Sequence, residues 1–136
     1  MKKITYSALL LGAMIASVNS MAAVDNDFNG DGIADILWRE ASDSSVKIAM
    51  GTSNGVISSA EILNSKSSDW SAQQGDFNGD GAVDILWRNA VTGAVKIATS
   101  DASGNQDAAH NLAAKGSAWQ THIGDFNADG RDDILW

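Results

Sequence analysis

Asp76-Phe77-Asn78-Gly79-Asp80-Gly81-Ala82-Val83-Asp84, continued by Ile85-Leu86-Trp87-Arg88, is the stretch whose reading decides the fold. It occurs three times. The first copy is Asp27-Phe28-Asn29-Gly30-Asp31-Gly32-Ile33-Ala34-Asp35, followed by Ile36-Leu37-Trp38-Arg39. The third is Asp125-Phe126-Asn127-Ala128-Asp129-Gly130-Arg131-Asp132-Asp133, followed by Ile134-Leu135-Trp136. Successive copies start 49 residues apart, at Asp27, Asp76 and Asp125.

Within each copy the spacing is that of a calcium loop. Oxygen side chains stand at positions 1, 3, 5 and 9, and position 7 can offer its backbone carbonyl. The expected Ca2+ ligands are therefore Asp27, Asn29, Asp31, Ile33 and Asp35 in the first loop. In the second they are Asp76, Asn78, Asp80, Ala82 and Asp84, and in the third Asp125, Asn127, Asp129, Arg131 and Asp133. A hard cation such as calcium takes about six to eight oxygens, and a loop with a glycine at position 6 turns sharply enough to wrap one. A Gly/Asn/Asp-rich turn without an ion is the plainer alternative. Such a turn has no need of three carboxylates at fixed positions in every copy, and unscreened they would repel one another. An EF-hand is excluded by position 12, where a bidentate Glu is required and Trp38, Trp87 or Trp136 stands. The Ile-Leu-Trp run that follows is β-prone rather than helical, so the loop belongs in a β-hairpin.

Asp-Phe-Asn-Gly-Asp-Gly-x-x-Asp-Ile-Leu-Trp-Arg, recurring at this period, resembles the FG-GAP/VCBS repeat, and the resemblance covers Asp25 to Trp136. Members of that family, integrin α-subunit heads among them, form calcium-bearing β-propellers. The resemblance implies one blade per repeat, with calcium in a loop between neighbouring strands of the blade. It does not imply a single activity, because the family includes adhesion modules, lectins and non-catalytic parts of polysaccharide-degrading enzymes.

Ahead of the repeats, residues 1–23 read as an export signal. Lys2 and Lys3 supply the charged start, Ala8 to Val18 an apolar run too short to span a bilayer, and Ser20-Met21-Ala22-Ala23 a small-residue cleavage site. A retained anchor is the alternative. Cleavage after Ala22 or Ala23 would give a mature start at Ala23 or Val24 and leave the repeat region, residues 24–136, secreted or periplasmic with no membrane span. There is no cysteine, so neither a lipid attachment site nor a disulfide framework is available. Formal net charge is -8, and removal of Lys2 and Lys3 leaves -10. Nine of the seventeen acidic residues occupy loop positions 1, 5 and 9, so the acidity is largely a local feature of the expected ion sites. An acidic chain with no basic face is no match for nucleic acid.

The repeat extends beyond the loop. Val46-Lys47-Ile48-Ala49 matches Val95-Lys96-Ile97-Ala98, and Trp70 matches Trp119, at the same offset of 49. A period of this length marks a propeller blade or a similar array. Four strands per unit are expected, at Trp70 to Phe77, Asp84 to Arg88, Ala94 to Thr99, and Ala108 to Ala113. Composition alone would allow a short helix over Gln106 to Lys115, and the repeat register decides for strand. The fold class is all-β, with four-stranded propeller-type blades, two full repeats and the start of a third. Propellers close with about four to eight blades, so a fragment of a larger propeller, an open array or a self-associating protomer is expected.

Few other residues suggest chemistry. Trp38, Trp87 and Trp136 are expected to pack between blades; a structural role is also favoured for Trp70 and Trp119, which are the better candidates of the two sets for a ligand contact. His110 and His122 do not recur and lack partners at metal or catalytic spacing, so both are expected in solvent or turns. Arg39 and Arg88 are expected to pair with a loop carboxylate. No nucleophile elbow, phosphate loop or Cys/His cluster is present. The expected function is thus an exported, non-enzymatic calcium-binding module for adhesion, or for recognition of a glycan or extracellular protein. A non-catalytic remnant of a polysaccharide-degrading enzyme and a purely structural repeat are the other two readings.

Overall fold

The computed structural model describes residues 25–107 and 109–136, so the segment read as an export signal lies outside the described part. Each β-prone run becomes a strand, and each Gly/Asn/Asp cluster a turn. Strands β1 (Ile36–Arg39), β2 (Val46–Met50) and β3 (Ser59–Leu63) form one antiparallel sheet. Strands β4 (Trp70–Gly75), β5 (Asp84–Asn89), β6 (Val95–Ala98) and β7 (His110–Leu112) form the second, in that order across the sheet. Strands β8 (His122–Gly124) and β9 (Asp133–Leu135) form the third. No helix occurs among the described residues. The segment whose composition allowed a helix is strand β7, as the repeat register requires.

The repeat is kept down to the pairing of single residues. Leu37 faces Ile48 and Trp38 faces Lys47 in the first sheet, as Leu86 faces Ile97 and Trp87 faces Lys96 in the second. Val46 pairs with Leu63 as Val95 pairs with Leu112. The β5–β6 hairpin shows why register holds. Asn89 Oδ1 accepts the Val91 and Thr92 amides at 3.0 and 2.7 Å, and the Gly93 amide closes on the Asn89 carbonyl at 3.0 Å. A side chain that caps its own turn fixes where the returning strand begins.

The core lies between the first two sheets. Phe28, Val46, Ile48 and Met50 of the first blade pack against Val83, Ile85, Trp87 and Ala98 of the second. Alternation along a strand explains the sidedness. On β5, Ile85 and Trp87 turn to the first blade, and Leu86 turns the other way. Backbone bonds stitch neighbouring loops: the Val83 amide donates to the Asp27 carbonyl at 2.7 Å, and the Asp132 amide donates to the Asp76 carbonyl at 2.7 Å.

The same positions are exposed where no blade lies against them. Trp38 is 57% exposed against 4% for its counterpart Trp87, and Phe126 is 58% exposed against 0% for Phe28. Ile36 and Leu135 are likewise exposed although Ile85 and Leu86 are buried. The expectation that every Ile-Leu-Trp tryptophan packs between blades therefore holds for Trp87 and not for Trp38. Among the described residues the three sheets form an open array rather than a ring.

Candidate functional site

The loop from Asp76 to Asp84 joins β4 to β5, that from Asp125 to Asp133 joins β8 to β9, and that from Asp27 to Asp35 leads into β1. Their internal hydrogen bonds repeat. Asp76 at position 1 accepts the Gly79 amide on Oδ1 at 2.7 Å and the Gly81 amide on Oδ2 at 2.9 Å. Asp27 accepts the Asp31 and Gly32 amides, and Asp125 the Asp129 and Gly130 amides. At position 3, Asn29, Asn78 and Asn127 each accept the amide two residues on, at 2.9 to 3.0 Å. At position 5, Asp31, Asp80 and Asp129 accept the amides of Ile33, Ala82 and Arg131 at 2.8 to 3.0 Å. These local turns hold the oxygens of positions 1, 3 and 5 along one short arc.

Position 9 is placed differently. Asp84 is fully buried; its Oδ2 accepts the Phe77 amide at 2.9 Å and its Oδ1 the Ser100 amide at 2.9 Å. Asp35 does the same with the amides of Phe28 and Gly51, both at 2.8 Å. Asp133 Oδ2 accepts the Phe126 amide at 3.2 Å. The position-9 carboxylate thus ties the loop's entry to its exit, and in the first two blades to the strand beyond as well. Burial pushes the Asp84 carboxyl up to about 6, against the two amide bonds, and the nearby Asp80 and Asp76 charges push the same way. Asp125 is exposed, and the Gly130 amide is the main cause holding its carboxyl below the usual range.

Among the described residues no three Asp, Glu, His or Cys side chains gather closely enough to form a ligand cluster by themselves. What each loop does offer is mixed: the carboxylates of positions 1 and 5, the amide oxygen of position 3, and the carbonyl of position 7. An ionised carboxylate has about four lone-pair sites, so one amide on each oxygen leaves acceptor capacity for a cation. Oxygen-only donors of this kind suit calcium.

The loops differ at position 4. Gly30 and Gly79 have φ of 70° and 78°, and Ala128 adopts 60° in the third loop. A side chain costs roughly 1–2 kcal/mol in this left-handed region. The third loop is also the most exposed of the three.

Outside the loops, Arg39 and Arg88 do not pair with loop carboxylates. Arg39 Nη2 donates to the carbonyls of Lys66 and Ser67 at 2.8 and 2.7 Å, and Nη1 to that of Trp70. Arg88 Nη2 donates to the Gly116 carbonyl at 2.8 Å. The segment linking one blade to the next leaves carbonyls without strand partners, and the guanidinium fork satisfies them. One recurrence escaped the sequence reading although its signal is the same offset of 49. Lys66 stands over Trp70 and Trp87 at 5.9 and 5.4 Å from the ring centroids, as Lys115 stands over Trp119 and Trp136 at 5.6 and 5.5 Å. Ammonium groups at this distance are held by the ring faces. Burial holds Lys66 below the usual lysine range, and the Lys96 charge adds to the effect. Trp70 packs against the inter-blade core, in line with the structural role favoured for it, and Trp119 is exposed. His110 and His122 are exposed but stand in β7 and β8 rather than in turns.

A cleft of about 430 Å³ opens beside Trp87, between the end of β3 and the loop after β6, with Asn64, Lys66, Asn105 and Asp107 on its walls. No helix of the described residues is long and apolar enough to cross a membrane. No curated protein and no solved structure gives a significant match to the chain. The family profile described as FG-GAP-like repeat matches residues 27–87 and again residues 76–136. The two matches overlap at the central loop and together span all three copies of the motif, and the chain belongs to the FG-GAP-like repeat family.

Proposed function

We propose that this propeller-type region is an exported calcium-binding interaction module that presents its blades to a glycan or an extracellular protein and catalyses no reaction. One observation carries the calcium reading. All three loops bond their position 3 and 5 oxygens to their own backbone in one pattern, and each position-1 carboxylate accepts the position-6 amide of its own loop. In the central loop the ion would be held by Asp76, Asn78, Asp80 and the Ala82 carbonyl, with Asp84 bracing the loop or joining the shell. Asp27, Asn29, Asp31, Ile33 and Asp35, and Asp125, Asn127, Asp129, Arg131 and Asp133, would serve alike in the other two. A bound cation would neutralise carboxylates that otherwise repel one another. The polar cleft beside Trp87 gives a partner a concave place to dock.

The central loop lies between the longest flanking strands, β4 and β5 of 6 residues each, whereas β8 and β9 beside the third loop have 3 each, and it has a close neighbour in the third loop. A loop already held in shape loses less freedom on binding, so it should bind most tightly. Extracellular calcium modules have dissociation constants of about 10⁻⁴ to 10⁻³ M. Calcium at roughly ten times that constant adds about 1.4 kcal/mol of stability per site. Asp80→Ala is expected to remove more of the calcium-induced stabilisation than Asp31→Ala or Asp129→Ala. Calorimetric titration of the three variants checks this; a wild-type chain that takes up no calcium would overturn the reading. Export predicts a mature chain beginning at Ala23 or Val24, and N-terminal sequencing of exported protein that still begins at Met1 would refute it.

A further inference from the structure

The two ends of the array are complementary, and the inter-blade contact inside the chain shows how. Ile85 and Trp87 of the second blade are covered by Phe28 and its neighbours in the first. Their counterparts Ile36 and Trp38 form an exposed apolar face at one end of the array. At the other end the counterparts of the covering residues Phe28 and Leu37 are Phe126 and Leu135, both exposed. One end therefore carries the face that is covered inside the chain, and the other carries part of the face that does the covering.

Two further features repeat the match. Inside the chain a position-8 amide donates to the position-1 carbonyl of the preceding blade, as Val83 to Asp27 and Asp132 to Asp76, both at 2.7 Å. The corresponding groups at the two ends are the Ala34 amide and the Asp125 carbonyl. Position 4 of one loop also touches position 7 of the next. A Cβ built on Gly30 would lie 3.9 Å from Ala82 Cβ, and one on Gly79 would meet the Arg131 side chain. The end positions in this relation are Ala128 and Ile33. Ala128 already carries a Cβ where the inner loops have glycine, and the Gly30 spacing accommodates it.

We propose that a second copy of this chain docks head to tail, its Phe126–Leu135 face on the Ile36–Trp38 face of the first, in the register of the internal blade contact. Such a contact is heterologous, so it propagates into a ring if the rotation closes and into a filament if it does not. The inference follows from blade packing alone and does not depend on the calcium or partner reading.

The absence of cysteine makes the register testable by cross-linking. Disulfide formation needs Cβ atoms about 3.5–4.5 Å apart, and the 3.9 Å between positions 30 and 82 fits that window. The full chain carrying Ile33→Cys and Ala128→Cys is oxidised in calcium and run without reductant. A ladder of dimers and larger species is expected. Ala128→Cys combined with Val56→Cys, at an exposed site away from the contact, should lack it. Adding Trp38→Glu to the matched pair should abolish the ladder, and circular dichroism checks that this exposed substitution leaves the fold intact. Only monomer from the matched pair, equal ladders from both pairs, or a ladder that survives Trp38→Glu would each overturn the proposal. Calcium uptake by the same samples, read by calorimetry, reports on the calcium reading separately.

Discussion

Trp87→Ala should cost about 3–5 kcal/mol of stability, the range for deleting a large buried aromatic, whereas Trp38→Ala should stay within about 0.5 kcal/mol of the parent. The two residues occupy the same place in the repeat, face equivalent lysines across the sheet, and differ in what lies against them. Trp87 is buried in the core between the first two blades and also holds the Lys66 ammonium against its ring. Removing it leaves a cavity bounded by Val46, Ile48 and Phe28, which strand geometry keeps from collapsing. A domain is stable by only about 5–15 kcal/mol, so the loss is a large share of the total. Trp38 presents its ring to solvent, and truncation should make the chain less prone to associate. Denaturant unfolding at low protein concentration measures both. Equal losses would mean that burial in the blade contact does not govern the stability of this array.

Much of the fold was legible because the repeat repeats its physics. Once Val46–Ala49 and Val95–Ala98 were matched at the loop offset, strand positions in one unit were evidence for the next. That decided for strand at His110–Leu112 against a composition that allowed helix. Strand ends were less legible. The strand expected to run through Phe77 stops at Gly75, because Asp76 and Phe77 already turn their backbone into the loop and the Phe77 amide is taken by Asp84. Exposure was not legible at all at the ends of the array. Identical Ile-Leu-Trp triplets give a buried and an exposed tryptophan, since burial depends on a neighbouring blade and not on local sequence.

The loops were legible in composition and only partly in arrangement. Periodicity of Asp and Asn marked twelve of the fifteen expected ligand positions as one recurring unit, and position 7 was placed by its spacing between them. It did not show that position 9 stands apart, since the partners of Asp84 and Asp35, the amides of Ser100 and Gly51, lie 16 residues further along the chain. A hydrogen bond to a distant backbone amide leaves no side-chain signature. The arginines were misjudged for the same reason. Their partners are carbonyls of Lys66, Ser67 and Gly116, which any residue type would supply. Lys66 and Lys115 could have been found, because both the lysines and their tryptophans recur at the loop offset.

Asp84→Ala should destabilise the chain by roughly 2–6 kcal/mol even when calcium is chelated, since a buried amide left without a partner costs about 1–3 kcal/mol. Two amides are at stake, Phe77 at the loop's entry and Ser100 beyond β6. The Ser100 hydroxyl is already engaged, donating to the Val83 carbonyl and accepting from the Gln106 side-chain amide. The carboxylate itself is held at a disadvantage, with its pKa raised to about 6 chiefly by burial. Asp84→Asn removes that charge and keeps one acceptor oxygen, so in chelator it should lose clearly less than alanine does. A residue that served only as a metal ligand would behave otherwise: both variants would match the parent in chelator and fall behind it only when calcium is added. Urea unfolding of the parent and both variants, in chelator and in millimolar calcium, separates the two roles. A parent-like Asp84→Ala in chelator would show that the loop is not braced by this carboxylate. If the parent's gain from calcium is also lost in Asp84→Asn, the same side chain serves the ion as well as the backbone.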